Sequence, residues 1–229
     1  MKKVFAAGAV AGSALVLSGC GISPFATEQA VVSYDVPDKV LVLSVDAGAG
    51  DIVVKGSERS GIKVTETLHW SGDKPRTEHL VEGDTLTLKH RCPTGLGFEN
   101  CTVDYEVEVP AGVRIKAETG AGDITLRSLT GGAEVGTGAG DIDASGLAGK
   151  EFAADSGAGD VEAGFTAAPD RVEVETGAGD ATVRLPQGPY RVTVETGAGD
   201  ETVKVADDPS AARTVRVSTG AGDAEVLPG

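Results

Sequence analysis

From residue 111 to the C-terminus, apolar and polar residues alternate in short segments. A half-buried β-strand has a side-chain period of two, so this alternation predicts strands with one face in a core. It is clear around a recurring Gly-Ala-Gly-Asp tetrapeptide, as with Val172 and Val174 before one copy and Ala181 and Val183 after it. No segment beyond residues 1–19 has a sustained 3.6-residue apolar period, which predicts essentially no helix there.

The tetrapeptide recurs at nearly regular spacing. Its seven copies end at Asp51, Asp123, Asp141, Asp160, Asp180, Asp200 and Asp223. The last six of these residues are separated by 18, 19, 20, 20 and 23 positions. Recurrence at a fixed period is typical of stacked structural units. Each unit is therefore predicted to contain a strand, the Gly-Ala-Gly-Asp turn, a second strand and a variable turn.

These units predict an all-β fold, a β-solenoid or a closely related two-sheet stack. In such a stack equivalent residues of successive units lie about 4.8 Å apart and have the same neighbours. The alternative is a meander of hairpins, but its usual Asn-Gly or Asp-Gly turns are absent at the joints. Phe152 and Phe165 are expected to fill the interior beside the small Ala144 and Ala163. Glu201 stands where other units carry an apolar residue, so we expect it to be exposed or splayed.

Residues 30–110 show the same alternation less regularly. The strand candidates are Val31–Val36, Lys39–Val45, Asp51–Lys55, Ile62–Trp70, Glu78–Glu82, Thr85–His90 and Val103–Val109. We expect degenerate units with longer loops that cap the stack. One β-repeat domain is thus predicted over residues 30–229, with an irregular part over 30–110 and regular repeats over 111–229. Pro228 cannot donate a ladder hydrogen bond, which favours an edge position for the last strand.

The first 29 residues have a different pattern. Two lysines precede an uncharged apolar run, Val4–Leu17, whose 14 residues are fewer than the about 20 that a membrane-spanning helix needs. The tetrapeptide Leu-Ser-Gly-Cys that ends at Cys20 resembles the lipobox of bacterial lipoproteins. It predicts a lipoprotein signal peptide over residues 1–19, acyl chains of the palmitate type on Cys20, and a lipidated linker over 20–29. The alternative is an ordinary signal peptide with a chance cysteine.

The charge of the chain limits its partners. The formal net charge is −15, and it becomes −17 without residues 1–19, which contain two lysines. Such a chain repels phosphates, which argues against nucleic acid, and it also repels anionic headgroups. The lipid on Cys20 must then hold it at the membrane. We expect an extracytoplasmic, membrane-anchored protein with a cell-wall or envelope protein as partner.

Cys92 and Cys101 are the only other cysteines. Thiols oxidise outside the cytoplasm, so these two residues are predicted to form a disulfide. Their spacing is not Cys-x-x-Cys, which disfavours a redox role, and a free thiol function is the minor alternative.

The aspartates of the tetrapeptide are the best candidates for chemistry. A column of stacked carboxylates repels itself unless cations or backbone N–H groups neutralise it. The motif resembles the repeats of calcium-binding β-rolls, but those recur about every nine residues, and here there is one motif per unit. We favour a structural turn, in which glycine takes positive φ and aspartate accepts hydrogen bonds. A calcium ladder is the alternative, and no other cofactor is predicted.

Other groups of candidate functional residues give weaker signals. His69, His79 and His90 are the only histidines; we expect them on solvent-facing sides of strands, with a zinc site as the alternative. Trp70 is expected to cover an edge of the core. No nucleophile elbow, paired-cysteine metal ribbon or histidine-containing catalytic motif occurs, so no enzyme is predicted. A polysaccharide-active β-helix enzyme is a weaker alternative that needs a carboxylate pair about 5–9 Å apart in a groove.

The Thr-Gly-Ala-Gly-Asp units, the cysteine pair and the run from Val103 to Val113 resemble a known family. This is the adhesin-like β-strand-repeat family of bacterial cell-surface and envelope proteins, a domain of unknown function, and the resemblance covers roughly residues 40–229. It implies a repetitive all-β fold and an envelope location, but no established reaction, ligand or catalytic residue. The sequence therefore predicts a non-catalytic adhesin-like module, or an interaction or scaffold module of the envelope.

Overall fold

A computed structural model describes residues 27–37, 39–93 and 101–229 of the chain. Within these ranges there are strands and no helix, which confirms the predicted all-β fold. The first strands are β1 Glu28–Val36, β2 Val42–Asp46, β3 Ile52–Gly56, β4 Ile62–Trp70, β5 Arg76–Glu82, β6 Thr85–Arg91 and β7 Cys101–Val109. The regular part contains β8 Arg114–Thr119, β9 Ile124–Arg127, β10 Ala133–Thr137, β11 Ile142–Leu147, β12 Glu151–Ser156, β13 Val161–Phe165, β14 Arg171–Thr176, β15 Ala181–Leu185, β16 Arg191–Thr196, β17 Glu201–Val203, β18 Thr214–Thr219 and β19 Ala224–Pro228.

The strands form two sheets. Sheet A has ten strands in the order β1-β4-β7-β3-β9-β11-β13-β15-β19-β17, and sheet B has nine in the order β16-β18-β14-β12-β10-β8-β2-β6-β5. Each repeat unit contributes its first strand to sheet B and, after the Gly-Ala-Gly-Asp corner, its second strand to sheet A. Neighbouring units pair in parallel and in register, so that Ala133 of β10 lies between Ile115 of β8 and Phe152 of β12. The predicted two-sheet stack is therefore confirmed.

The units do not stack in chain order. We call the two strands around one corner a coil; the coils follow one another in space as β6–β7, β2–β3, β8–β9, β10–β11, β12–β13, β14–β15, β18–β19 and β16–β17. The coil β2–β3 is inserted near one end, and the last coil of the chain, β18–β19, is inserted next to the other end. The end coil is β16–β17, in which Glu201 is exposed as expected.

The prediction that the last strand is an edge strand was wrong. β19 pairs with β15 on one side and with β17 on the other, and Pro228 lies beside Leu185 of β15. β17 ends at Val203, which pairs with Val226. Pro228 therefore lies beyond the end of β17, where its missing N–H group breaks no ladder hydrogen bond on that side.

The N-terminal strands cap the other end of the stack. All seven strand candidates proved to be strands, and Ile62–Trp70 has the predicted bounds. β1 and β4 extend sheet A in antiparallel fashion from β7, and β5 pairs antiparallel with β6. The regular coils begin with β8, after β7 has ended at Val109. No helix with the length and hydropathy to cross a membrane occurs in the described part of the chain.

The core is a narrow layer of side chains between the two sheets. Inward positions such as Leu43, Val45, Ile52 and Val54 are buried, and each large aliphatic side chain contributes about 1.5–3 kcal/mol relative to exposure. The rings of Phe152 and Phe165 meet edge to face across the interior, with centroids 5.8 Å apart. Ala144 and Ala163 pair directly on the neighbouring strands β11 and β13 and are both buried, so two small side chains follow each other along the stack at this level. Trp70 is buried at the cap, as predicted.

Candidate functional site

The aspartates of the tetrapeptides form one continuous hydrogen-bonded column along a corner of the stack. The backbone N–H of each aspartate donates to the Oδ1 atom of the aspartate in the neighbouring coil. The donor–acceptor pairs are Asp51–Asp104, Asp123–Asp51, Asp141–Asp123, Asp160–Asp141, Asp180–Asp160, Asp223–Asp180 and Asp200–Asp223, at 2.8–3.0 Å. These charge-assisted hydrogen bonds stabilise each carboxylate and offset the repulsion between the carboxylates of neighbouring coils.

A second ladder runs beside the column. Six of the seven tetrapeptides are preceded by a Thr or Ser, whose hydroxyl donates to the carbonyl oxygen of the second glycine in the neighbouring coil; Ala47 precedes the first. The pairs are Thr119–Gly50, Thr137–Gly122, Ser156–Gly140, Thr176–Gly159, Thr219–Gly179 and Thr196–Gly222, at 2.8–3.0 Å. A calcium ladder would draw on glycine carbonyl oxygens and aspartate carboxylate oxygens. In six of the seven motifs, the carbonyl oxygen of the second glycine and the aspartate Oδ1 already accept hydrogen bonds from the neighbouring coil, which favours the structural interpretation of the motif.

The close approach of neighbouring corners requires the second glycine in all seven copies and the first glycine in six of them. The second glycine has φ between 123° and 149° in all seven copies. A Cβ atom on Gly140 would lie 2.1 Å from the carbonyl oxygen of Gly122, and one on Gly138 would lie 2.5 Å from that of Gly120. Such distances exclude a side chain, because the obstructing atoms belong to the backbone.

The column contains one aspartate that the sequence interpretation missed. Asp104 follows no tetrapeptide, yet its Oδ1 accepts the N–H of Asp51 at 3.0 Å. Its Oδ2 lies 3.3 Å from Nε2 of His69. The available signal was the next residue, Tyr105, because an inward-facing apolar or aromatic residue follows nearly every aspartate of the column.

The other predicted residues lie apart from the column. Cys92 and Cys101 form a disulfide that connects the end of β6 to the start of β7. Cys20 lies outside the described residues. Among the residues that the structure does describe, no group of three or more His, Cys, Asp or Glu side chains is arranged to hold a metal ion.

The prediction of three surface histidines was wrong for His90; His79 is exposed, although it lies on the inner face of its sheet. His69 faces outward next to Asp104, as expected. His79 and His90 share the inner face of sheet B with Leu88, because they lie at alternate positions of β6 and opposite it on β5. His79 remains exposed at the open end of the sandwich, whereas Nδ1 of His90 is buried.

The outer face of sheet B carries a shallow acidic groove of about 500 Å³ next to the corner. Its carboxylates are Glu118, Glu134, Asp155, Glu173 and Glu175. Small residues, Gly136 and Ala153, line it between them, and no aromatic side chain does. Lys116 neutralises one carboxylate at 3.1 Å and Arg171 another at 2.7 Å. The groove thus has acids but no ring on which a sugar could stack.

The fold and the corner define a class of protein, a two-sheet β-repeat stack in which the repeated motif joins neighbouring coils. A family model described as Toastrack DUF4097 matches residues 111–227, just over half of the 229 residues. The chain belongs to this family, whose function is unknown.

Two solved structures that are similar to this chain come from bacteria. A protein from Bacteroides fragilis NCTC 9343 that is proposed to be an adhesin aligns with a TM-score of 0.53 at 14% identity, over 90% of this chain and 100% of its own. A proposed cell adhesion protein from Clostridium sporogenes ATCC 15579 aligns with a TM-score of 0.49 at 14% identity, over 89% of this chain and 100% of its own. No curated protein matches the sequence.

Proposed function

We propose that this protein is a non-catalytic, lipid-anchored module that presents a rigid β-stack on the extracytoplasmic face of the cell membrane. The observation that supports this proposal is the use of the repeated motif in stacking. Each aspartate, hydroxyl and glycine of the corner has a hydrogen-bonding or packing role between coils. The most repeated polar chemistry of the chain is thereby used for architecture and is not left free to act on a substrate.

The shape of the domain suits an interaction surface. Ten strands in sheet A, at a spacing of about 4.8 Å, give a stack roughly 43 Å long. Each sheet presents a broad outer face. The chain is strongly acidic, which favours a partner with positive charge. The names of the two similar structures concern adhesion by those proteins; we extend an adhesin-like or scaffold role to this chain as part of the proposal.

The lipid on Cys20 completes the proposed placement. The first strand begins at Glu28, so seven residues, 21–27, separate it from Cys20. At about 3.5 Å per residue this segment spans at most about 25 Å. A domain so close to the membrane would contact envelope or cell-wall partners that lie no farther from the membrane than the length of the stack and its linker.

The test compares wild-type protein with the Cys20→Ser variant in intact bacterial cells. Wild-type protein should enter the detergent phase on phase partition and incorporate a palmitate analogue, whereas Cys20→Ser should remain aqueous and unlabelled. Ser18→Ala, which keeps a small residue in the same tetrapeptide, is the matched control and should behave as wild type. Equal partition of wild type and Cys20→Ser would contradict the anchor.

The interaction is tested by cross-linking the same strains before lysis. A partner that depends on membrane proximity should be captured by wild type and Ser18→Ala but lost with Cys20→Ser. Retention of every partner by the soluble form would show that the anchor has no bearing on the interaction.

The absence of catalysis is tested with cell-wall polymers. Purified protein should release no reducing ends from them. Release that disappears in a variant with Glu118→Gln and Asp155→Asn in the acidic groove would establish a hydrolase instead.

A further inference from the structure

The two ends of the stack differ. Sheet A ends in β17 and sheet B in β16, and these strands form the coil at the opposite end from the capping strands β1 and β5. Residues 206–208 cover the start of β16, where the N–H of Asp208 donates to the carbonyl oxygen of Tyr190 at 2.8 Å. In the described part of the chain, no strand lies beyond β17. We call residues 196–203, which form the last corner and β17, the open corner.

The backbone of the open corner repeats the donors that join the other coils. In the neighbouring coil, the N–H of Gly222 donates to the carbonyl oxygen of Ala198 at 2.9 Å, and the N–H of Ala224 donates to that of Asp200 at 3.0 Å. The equivalent donors of the open corner are the N–H groups of Gly199 and Glu201. They point away from β19, because groups on alternate sides of a parallel strand face opposite neighbours. No described residue accepts a hydrogen bond from either of them.

The aspartate column also ends at the open corner. In each of the other seven aspartates of the column, Oδ1 accepts a backbone N–H from the neighbouring coil. Within the described ranges, Oδ1 of Asp200 has no such donor. The carbonyl oxygen of Gly199 is in the same position, whereas that of Gly222 accepts the hydroxyl of Thr196 at 2.9 Å. The open corner therefore presents donors and acceptors in the arrangement that a further parallel strand would bond.

The apolar interior is also uncovered beside β17. Val203 is 44% exposed, although the equivalent Val226 and Val183 of the two preceding coils are fully buried. Glu201, which is in register with Ala224 of β19, is an exposed carboxylate at the position where the other units carry an apolar side chain. A strand that lay beside β17 would cover Val203 and would place one of its own side chains next to Glu201.

We propose that the open corner binds an extended segment of a partner protein, which adds to sheet A as a parallel strand beside β17. Addition of a strand to an exposed sheet edge is a known mode of peptide recognition. Charge complementarity defines the segment: the residue in register with Glu201 is Lys or Arg, and the residue two positions later is apolar and packs on Val203. A second copy of this chain is disfavoured, because its own open corner would bring a second Glu201 carboxylate against the first.

The proposed anchor leaves this site accessible, and this step rests on the proposed function. The chain enters the domain at β1, which is at the opposite end of sheet A from β17. Nine strand spacings of about 4.8 Å separate the two, or roughly 43 Å. The open corner is then the part of the stack farthest from the point of attachment, where a partner in the envelope can reach it.

The experiment measures binding of synthetic peptides to the purified mature protein in a non-ionic detergent, by fluorescence anisotropy. The probe has the sequence Thr-Gly-Ala-Gly-Asp-Lys-Thr-Val-Lys, which is that of residues 196–204 with lysine in place of the glutamate. A second peptide keeps the glutamate. The lysine peptide should bind with a Kd about 5- to 30-fold lower, because attraction to Glu201 replaces repulsion. Glu201→Lys should reverse the order of the two peptides.

Asp200→Ala separates binding from folding. It should weaken the lysine peptide about 5- to 10-fold by removing an acceptor. It should leave the melting temperature unchanged, because Oδ1 of Asp200 accepts no hydrogen bond from the described residues of the protein alone. Asp73→Ala, which removes an exposed aspartate in the turn after β4, is the matched control and should bind the peptide as the wild type does.

Amide hydrogen exchange locates the peptide. The N–H groups of Gly199, Glu201 and Val203 should exchange more slowly when the lysine peptide is bound, whereas that of Thr202, which faces β19, should not change. Absence of binding to the wild type, equal Kd values for the two peptides, or protection outside the open corner would overturn the proposal. No membrane is present in this assay, so its failure would leave the lipid anchor untouched, and loss of the anchor would leave peptide binding intact.

Discussion

Replacement of Gly140 by alanine should destabilise the stack, whereas the same replacement at Gly136 should not. Gly140 is the second glycine of a corner, with φ of 148°. Its added Cβ atom would lie 2.1 Å from the carbonyl oxygen of Gly122 in the neighbouring coil. Gly136 lies on the outer face of β10, where an added Cβ atom would meet only the carbonyl oxygen of Asp155, at 3.8 Å.

The expected loss in the free energy of unfolding follows from the contacts that Gly140→Ala must break. To relieve the overlap, the corners of Gly122 and Gly140 must separate, which lengthens the bond from Asp141 N to Asp123 Oδ1 and the bond from Gly122 N to Ala139 O. Each such bond contributes about 1 kcal/mol net, and a non-glycine residue in a sparsely populated backbone region costs about 1–3 kcal/mol. Gly140→Ala should therefore cost roughly 3–5 kcal/mol. Gly136→Ala should stabilise by about 0.4–1 kcal/mol, because alanine loses less backbone entropy on folding.

The assay is guanidinium unfolding of wild type and both variants, followed by far-UV circular dichroism, which reports on all coils. Stacked repeats do not always unfold in one step, so the transition midpoints and the number of transitions are compared before free energies are fitted. A Gly140→Ala variant within about 1 kcal/mol of wild type, or an equal loss in Gly136→Ala, would refute the close-approach argument.

Three further predictions test the packing of the stack. Deletion of residues 214–229 removes the coil β18–β19, which lies between β14–β15 and β16–β17, so trypsin should then cleave within β16–β17. Continued protection of β16 would contradict the inserted order. Glu201→Val should cause self-association, seen by light scattering, because it creates an apolar edge and removes the acceptor of the Thr196 N–H at 3.2 Å; a strictly monomeric variant would contradict this. Phe152→Ala should cost about 3–5 kcal/mol in chemical unfolding, since the ring is 3% exposed, and a loss below about 1 kcal/mol would be inconsistent with its burial.

Local patterning was sufficient to predict the strands and the corners. Alternation with period two places Val172 and Val174 inward whatever their neighbours are, and Gly-Ala-Gly-Asp specifies a corner by its own backbone requirements. The order of the coils could not be predicted in the same way. Every corner offers the next coil the same donors and acceptors, so the motif does not distinguish β18–β19 from β16–β17 as the neighbour of β14–β15. Only the exposed Glu201 hinted that its coil lies at an end.

The group of polar side chains that is buried at the cap around Glu66 could not be predicted from the sequence, for a related reason. Glu66 lies at an inward position of β4, but its neighbours come from strands distant in the chain. Tyr34, His90 and Tyr105 reach it only because β4 pairs antiparallel with both β1 and β7 and faces sheet B. Asp104 was missed because its coil lacks the tetrapeptide; its sequence offers only the following Tyr105 as a signal, and the bond from Asp51 N to its Oδ1 places it in the column.

The central claim is that the aspartate column is held by backbone N–H groups and not by calcium. It is tested most directly by melting wild type, Asp141→Asn and Asp141→Ala in millimolar calcium and in EGTA. The structure predicts that neither condition moves the wild-type transition. Asp141→Asn should retain most of the stability, because its amide oxygen can still accept the Asp160 N–H, whereas Asp141→Ala should lose about 1–2 kcal/mol. A calcium-dependent rise in the wild-type melting temperature that Asp141→Asn abolishes would contradict the account.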